Sequence, residues 1–295
     1  MGDYVISCCS AVDLTAEWLQ KRDIRYVSFT YTLGDEDYTD DMWVSMKPAE
    51  LYQRMIAGED AKTSQISTAE YIKHFKSILK EGKDVIHLTL SSGISGTYNS
   101  AMLARQEVIE EFPDRRIFVV DSLAASSGFG LFMETLADLR DEGKTIDELY
   151  DFAKAQRLHL NHWFFSTDLT FYIKGGRVTK TAGFIGNVLN ICPLLNMDYL
   201  GRLIPREKIR TKKKVIQRSL EKMIENAENG TDYNGKCFIS HSDCYEDARA
   251  LADKIEENFP NLNGKVEIFS IGATIGSHTG PGTVALFFWG NKRVD

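Results

Sequence analysis

The most constraining stretch of this chain is an apolar run, Val85 to Leu90, that passes directly into Ser91-Ser92-Gly93-Ile94-Ser95-Gly96-Thr97-Tyr98. Beyond it, Asn99 to Phe112 carries apolar residues at helical spacing, so the order is strand, hydroxyl-rich loop, helix. A parallel strand feeding a helix leaves the first amide N–H groups of that helix unpaired. Gly93 and Gly96 let the backbone approach whatever those donors face, and an anionic group suits them. A plain Ser/Gly helix cap is the alternative, but three serines, a threonine and two glycines in eight residues exceed what a cap needs. The patterns GxxxxGK[ST] and GxGxxG are both absent, which argues against phosphate transfer by this loop.

The same arrangement recurs along the chain. Tyr4 to Ser7 is a strand candidate, with Asp13 and Thr15 able to cap a helix from Ala16 to Arg22. Tyr26 to Leu33 alternates like one strand, and Lys47 to Ile56 reads as a helix opened by Pro48. Ser67 and Glu70 match a capping box for a helix over Ala69 to Glu81, which leaves Thr63 and Ser64 unexplained. Arg116 to Val120 is a continuous apolar strand ending in Asp121-Ser122, and Thr145 opens a further helix to about Ala155. An unalternated strand flanked by helices marks a parallel sheet, and its ligand-binding turns gather at the carboxyl ends of the strands.

The second half reads differently. His162 to Ser166, Lys236 to His241, Val266 to Ile271 and Thr283 to Trp289 are strands, with a helix over Glu246 to Asn258. Thr181 to Leu195 is apolar on most faces and too short to span a bilayer, so it is either a core helix or the wall of an apolar pocket. The chain is therefore expected to be α/β, with an N-terminal parallel-sheet domain over residues 1–160 and a C-terminal domain over 161–295.

Charge and composition narrow the function. A net charge of -7 opposes general nucleic-acid binding and leaves only the eight Lys and Arg residues between Gly201 and Arg218 as a local basic patch. A solvated face is the plain reading of that patch. No signal-peptide pattern begins the sequence, and five cysteines without CxxC spacing fit a reducing compartment, so a cytoplasmic location is expected. His159 with His162, and His241 with Asp243 and Cys244, are the only close ligand groupings, so no metal is expected. No GxSxG elbow is present. His278 stands out because four glycines surround it between Gly272 and Gly282, leaving its imidazole free to face a cavity.

Five ordered motifs carry a resemblance over nearly the whole chain: TSQIS (Thr63 to Ser67), LSSGISGTYNSA (Leu90 to Ala101), VVDSLAASSGFG (Val119 to Gly130), DLTFYIKGGRV (Asp168 to Val178) and IGSHTGPGTVALFF (Ile275 to Phe288). Together they resemble the DegV family of bacterial fatty-acid-binding proteins. The resemblance implies a two-domain α/β protein holding one long-chain fatty acid, its chain buried between the domains. It also implies a non-catalytic role, since several members, the fatty-acid kinase B subunits, present the acid to a separate ATP-dependent kinase. Thr63 stands at the threonine of the family's TSxPS motif, Ser92 and Ser95 lie in its SSGxSGT loop, and His278 in its HTGPG loop, positions that surround the carboxyl group. Two departures stand out. Cys9-Ser10 replaces the usual Asp-Ser, and Ile66 replaces the usual Pro.

The expected carboxyl site is thus Thr63, Ser64, Ser92, Gly93, Ser95, His278 and Thr279, with Phe184, Ile185, Val188 and Leu189 lining the acyl chain. Lys174, Arg177, Arg202 and Arg206 are expected to dock a kinase and to meet an anionic membrane surface transiently. No cofactor beyond the bound fatty acid is expected. Two rivals remain: an acyl hydrolase using Ser92 or Ser95 with His278, and a nucleic-acid regulator using residues 202–218.

Overall fold

The structure, a computed structural model, describes residues 4–179 and 191–294. Its first part runs β1 (Tyr4–Cys9), α1 (Ala16–Lys21), β2 (Ile24–Val27), β3 (Thr30–Leu33), β4 (Glu36–Thr39), α2 (Pro48–Ile56) and β5 (Ala61–Ser64). It continues through α3 (Thr68–Leu79), β6 (Asp84–Thr89), α4 (Thr97–Glu111), β7 (Ile117–Asp121), α5 (Ser126–Asp141) and α6 (Ile146–Gln156). Strands β1, β2, β6 and β7 form a wholly parallel sheet in the order β2-β1-β6-β7. All six positions of β6 are buried, and burying a side chain such as Ile86 or Leu88 stabilises by about 1.5–3 kcal/mol. The helices start where hydroxyls can accept orphan amides: Thr15 from Trp18 N, Ser67 from Glu70 N, and Thr145 in a full capping box with Glu148.

The second part runs β8 (Leu160–Ser166), α7 (Thr170–Lys174), β9 (Ile191–Met197), β10 (Leu203–Arg210), α8 (Lys212–Asn226), β11 (Phe238–His241), α9 (Tyr245–Asn258), β12 (Glu267–Ser270), α10 (Ala273–Thr279) and β13 (Thr283–Trp289). Its six strands form a mixed sheet in the order β10-β9-β8-β13-β11-β12, parallel only between β11 and β12. Helices α8 and α9 bury one core with this sheet, around Phe165, Leu220, Leu251 and Phe288. The first core crosses between the two sheets, because α5 brings Phe129 and Phe132 together with Phe164, Phe238 and Phe287. Gly128 makes that approach possible, since a Cβ there would stand 2.4 Å from the Phe287 ring and 2.7 Å from His162 Nε2. The junction is reinforced by Trp18 edge-on to Phe238 and Phe269, and by Lys236 between Glu134 and Asp138.

Four sequence expectations are corrected. Tyr26 to Leu33 is two strands in different sheets, because the chain leaves the parallel sheet at Phe29 and enters the antiparallel sheet β4-β3-β5. Ser10 Oγ accepts from Phe29 N and the Phe29 carbonyl accepts from Asp40 N, which fixes the bend. Alternation is the same on both sides of such a bend and does not reveal it. The apolar segment ending at Leu195 closes as strand, since Ile191–Met197 is β9, paired to β8 and β10. A strand covered on both faces is apolar all round, like a core helix. Phe184, Ile185, Val188 and Leu189 lie outside the described residues.

The supposed loop around His278 is the short helix α10, whose first turn is capped from far away: Asp40 Oδ2 accepts from Thr274 N at 3.1 Å. The basic stretch 202–218 is no single face. It divides into the edge strand β10 and the start of α8, and at least three of its eight cations are held in ion pairs: Arg202 with Asp198, Lys212 with Asp247, and Arg218 with Glu207, Glu221 and Glu225. Charged side chains on β10 also discourage edge-to-edge pairing.

Candidate functional site

A cavity of about 230 Å³ lies where the two sheets meet. Phe29 and Leu90 wall it from the first part of the chain, and Phe164, Met197, Leu203 and Phe287 from the second. Polar groups interrupt this apolar lining where Thr63, Ser95, Arg177 and His278 come together. Each arrives on a different element. Thr63 is on β5, held by its pairing to Tyr31 on β3, and Ser95 lies in the loop between β6 and α4. Arg177 follows α7, and His278 sits in the last turn of α10.

Thr63 Oγ1 and His278 Nε2 are 2.7 Å apart, although 215 positions separate them in sequence. Burial, reinforced by the nearby Arg177 charge, pulls the His278 pKa down to about 4, so the imidazole is neutral near neutral pH. Its Nδ1 is buried and has no hydrogen-bond partner among the described residues. That nitrogen faces Gly175, where a Cβ would stand only 2.3 Å away. The Arg177 guanidinium donates to the Ile94 and Gly175 carbonyls, and burial lowers its pKa from the usual value. Ser95 Oγ accepts from Thr97 N at 3.3 Å, and Thr279 is buried on the same wall. A neutral imidazole, two hydroxyls and a half-buried guanidinium at one part of an apolar cavity suit an elongated apolar molecule with a small anionic head.

The remaining predicted positions fall elsewhere. Ser64 is exposed at the end of β5. Ser92 is exposed, with its Oγ and amide donating to the Asp121 carboxylate. A Cβ on Gly93 would meet the Leu200 and Gly201 carbonyls at 2.5 Å, so this glycine admits the β9–β10 turn rather than lining the cavity. Lys174 pairs with Asp60, Arg202 with Asp198, and Arg206 Nε donates to Asn196 Oδ1. Arg177, expected on an outer docking face, lines the cavity wall.

Sequence reasoning missed His162, Ser126 and Tyr172 on the wall. His162 is fully buried with Nε2 toward Ala125 N and Nδ1 toward the Leu160 carbonyl, so one bond of each sense fixes a neutral ring. Ser126 has φ of +55° and donates to Asp13, a carboxyl whose pKa burial pushes well up. No local spacing announces these contacts. Ser126 does stand in the Gly- and Ser-rich opening of α5, the one signal that marks it. Among the described residues, no group of three His, Cys, Asp or Glu side chains could hold a metal ion.

Fold and site together define a two-part α/β protein that encloses an apolar cavity with a few converging polar groups. Residues 6–291 match the family described as "Uncharacterised protein, DegV family", and the chain belongs to that family. It is 36% identical over 296 residues to a DegV domain-containing protein of Clostridium perfringens, covering 99% of each chain. Its fold is similar to that of a Thermotoga maritima protein whose structure reveals a fatty acid binding function, with TM-score 0.83, 28% identity, and coverage of 99% of this chain and 100% of the other. It is also similar in fold to the Streptococcus pneumoniae Fatty Acid Kinase B3 protein loaded with linoleic acid, with TM-score 0.84, 23% identity, and coverage of 99% and 100%.

Proposed function

We propose that this chain is a non-enzymatic fatty-acid carrier that encloses a long acyl chain and presents its carboxyl group to a separate ATP-dependent kinase. The observation that carries the reading is the apolar cavity ending on the Thr63–His278 pair, beside Ser95 and Arg177. Each methylene buried there adds about 0.8 kcal/mol, so the chain sets affinity and the polar groups set orientation. The fatty acid bound by the Thermotoga maritima relative supports the same ligand class. Domains over 1–160 and 161–295 belong to this proposal, supported by the six-stranded sheet beginning at Leu160.

The rivals have less support. An acyl hydrolase needs a serine on His278, yet that imidazole bonds Thr63, and Ser92 is engaged by Asp121. A nucleic-acid regulator needs a continuous basic face, whereas the 202–218 cations are split between β10 and α8 and Arg202, Lys212 and Arg218 are paired with carboxylates. A cytoplasmic carrier exchanging lipid at an anionic membrane surface accords with the chemistry, and among the described residues no helix is long and apolar enough to cross a membrane.

Native mass spectrometry of delipidated protein after addition of fatty acid tests the reading. One bound fatty acid supports it, and no uptake defeats it. His278→Ala with Ser95→Ala is expected to weaken retention by roughly 1–3 kcal/mol without unfolding, because the carboxyl group loses directed donors. Unchanged retention in the double variant would reject this site. For the kinase role, Arg202→Glu should lower kinase-coupled phosphorylation while the protein still carries fatty acid. Turnover equal to the parent would remove the docking assignment.

A further inference from the structure

A second cavity, of about 320 Å³, shares Thr63, Arg177 and His278 with the first, so these three side chains form a partition between the two. Met55, Ala61 and Phe171 contribute apolar surface, while Glu59, Lys62 and Lys174 supply its charges. The carboxylate of Glu59 is already satisfied by Arg54 through bonds of 2.9 and 2.7 Å. Asp60 is the remaining acid at this rim, paired with Lys174. Lys62 is exposed, and its charge also acts on Asp60. Two cations, Lys174 and Lys62, therefore share one acid, Asp60, that lacks an arginine of its own. The partition is polar on both sides: His278 turns Nε2 to Thr63, and its unpartnered Nδ1 lies against Gly175, which lines the second cavity.

On the carrier reading, an acid held at the partition has its alkyl chain in the first cavity and its carboxylate at Thr63 and His278. Phosphorylation joins one carboxylate oxygen to the γ-phosphorus of ATP while the bond from that phosphorus to the β,γ-bridging oxygen breaks, and ADP leaves with the electron pair. The acyl chain stays where it was, so the new phosphoryl group must extend beyond the carboxyl, away from the chain. We propose that the second cavity receives this phosphoryl group, with Lys62 and Lys174 as its anion-binding side chains. The inference rests on the carrier reading and adds a site to it: the carrier itself holds both ends of an acyl phosphate. Lysine suits the role as a point charge on a flexible stem, and Lys174 can exchange Asp60 for a more highly charged partner.

The predicted signature is selectivity between two head groups. Delipidated parent protein, Lys62→Ala, Lys174→Ala and the double variant would be titrated calorimetrically with palmitate and with a non-hydrolysable acyl phosphonate of the same chain length. The double variant should lose about tenfold or more in phosphonate affinity, the scale of a lost charge-assisted hydrogen bond, and keep its palmitate affinity within about twofold. Lys62→Arg should retain phosphonate binding, which separates charge from folding. Unchanged phosphonate affinity in the double variant overturns the proposal, as does an equal loss for both ligands. If the parent binds neither ligand, the carrier reading itself has failed, and palmitate binding alone distinguishes that result.

Discussion

The hydrogen-bonded chain His74–Ser7–His87, half-buried at His74 and buried at Ser7 and His87, makes acid sensitivity of the parallel-sheet half predictable. Ser7 Oγ lies 2.6 Å from His74 Nε2 and 2.9 Å from His87 Nδ1, beneath α3. Burial is the main cause in both rings, aided for His74 by the Arg25 charge; it pulls His74 down to about 4 and His87 well below the ordinary histidine range. Both are therefore neutral in the folded protein at pH values where the unfolded chain, titrating near 6.5, already takes up protons. Stability contributed by such a group is intact above about pH 6.5 and declines as pH falls toward the folded value. For His74 alone the linkage amounts to about 2 kcal/mol at pH 5 and about 3 kcal/mol at pH 4 and below.

Asp13 and Asp40, whose pKa values burial raises, act in the opposite sense, since they take up protons in the folded state first. A difference measurement removes them. Urea denaturation of the parent and of His74→Gln at about pH 7.5 and pH 5 should show the parent losing about 2 kcal/mol more than the variant across that interval. Parallel losses would mean that His74 protonates as readily in the folded protein as in the unfolded one, and the buried-neutral reading of the ring would be wrong.

Two further outcomes follow from packing at the site and the junction. Gly175→Ala places a methyl 2.3 Å from His278 Nδ1, so the imidazole must move and the Thr63 bond stretch; imidazole NMR shifts should change with fatty-acid affinity falling, and an unchanged histidine spectrum would show that the turn yields instead. Lys236→Ala removes a partner of the buried Glu134 and of Asp138, while Trp18 Nε1 and Arg22 remain, so thermal or urea unfolding should register a loss of about 1–3 kcal/mol, and a loss near zero would assign the junction to its aromatic contacts alone.

Local physics made much of this architecture legible. Val85 to Leu90 feeding a hydroxyl-rich turn and a helix is β6, loop and α4 almost to the residue, because apolar period and capping chemistry act over a few positions. Thr63, Ser95 and His278 were readable as candidates for the same reason: glycine and hydroxyl residues concentrate in the short segments around them. Their meeting was not readable from spacing. Arg177 looked like a surface cation because charge pattern says nothing about which way a turn is folded, and packing places it on the cavity wall. Helix α10 looked like a loop because its cap, Asp40, comes from 234 positions earlier in the chain. The sequence by itself determined which short segments could be strand, helix or ligand-facing turn, since those preferences arise within one or two turns of backbone. Tertiary structure alone decided which of those turns share a cavity, because burial and hydrogen-bond partnership depend on distance through space, and the folding of two sheets against α5 sets that distance without regard to separation along the chain.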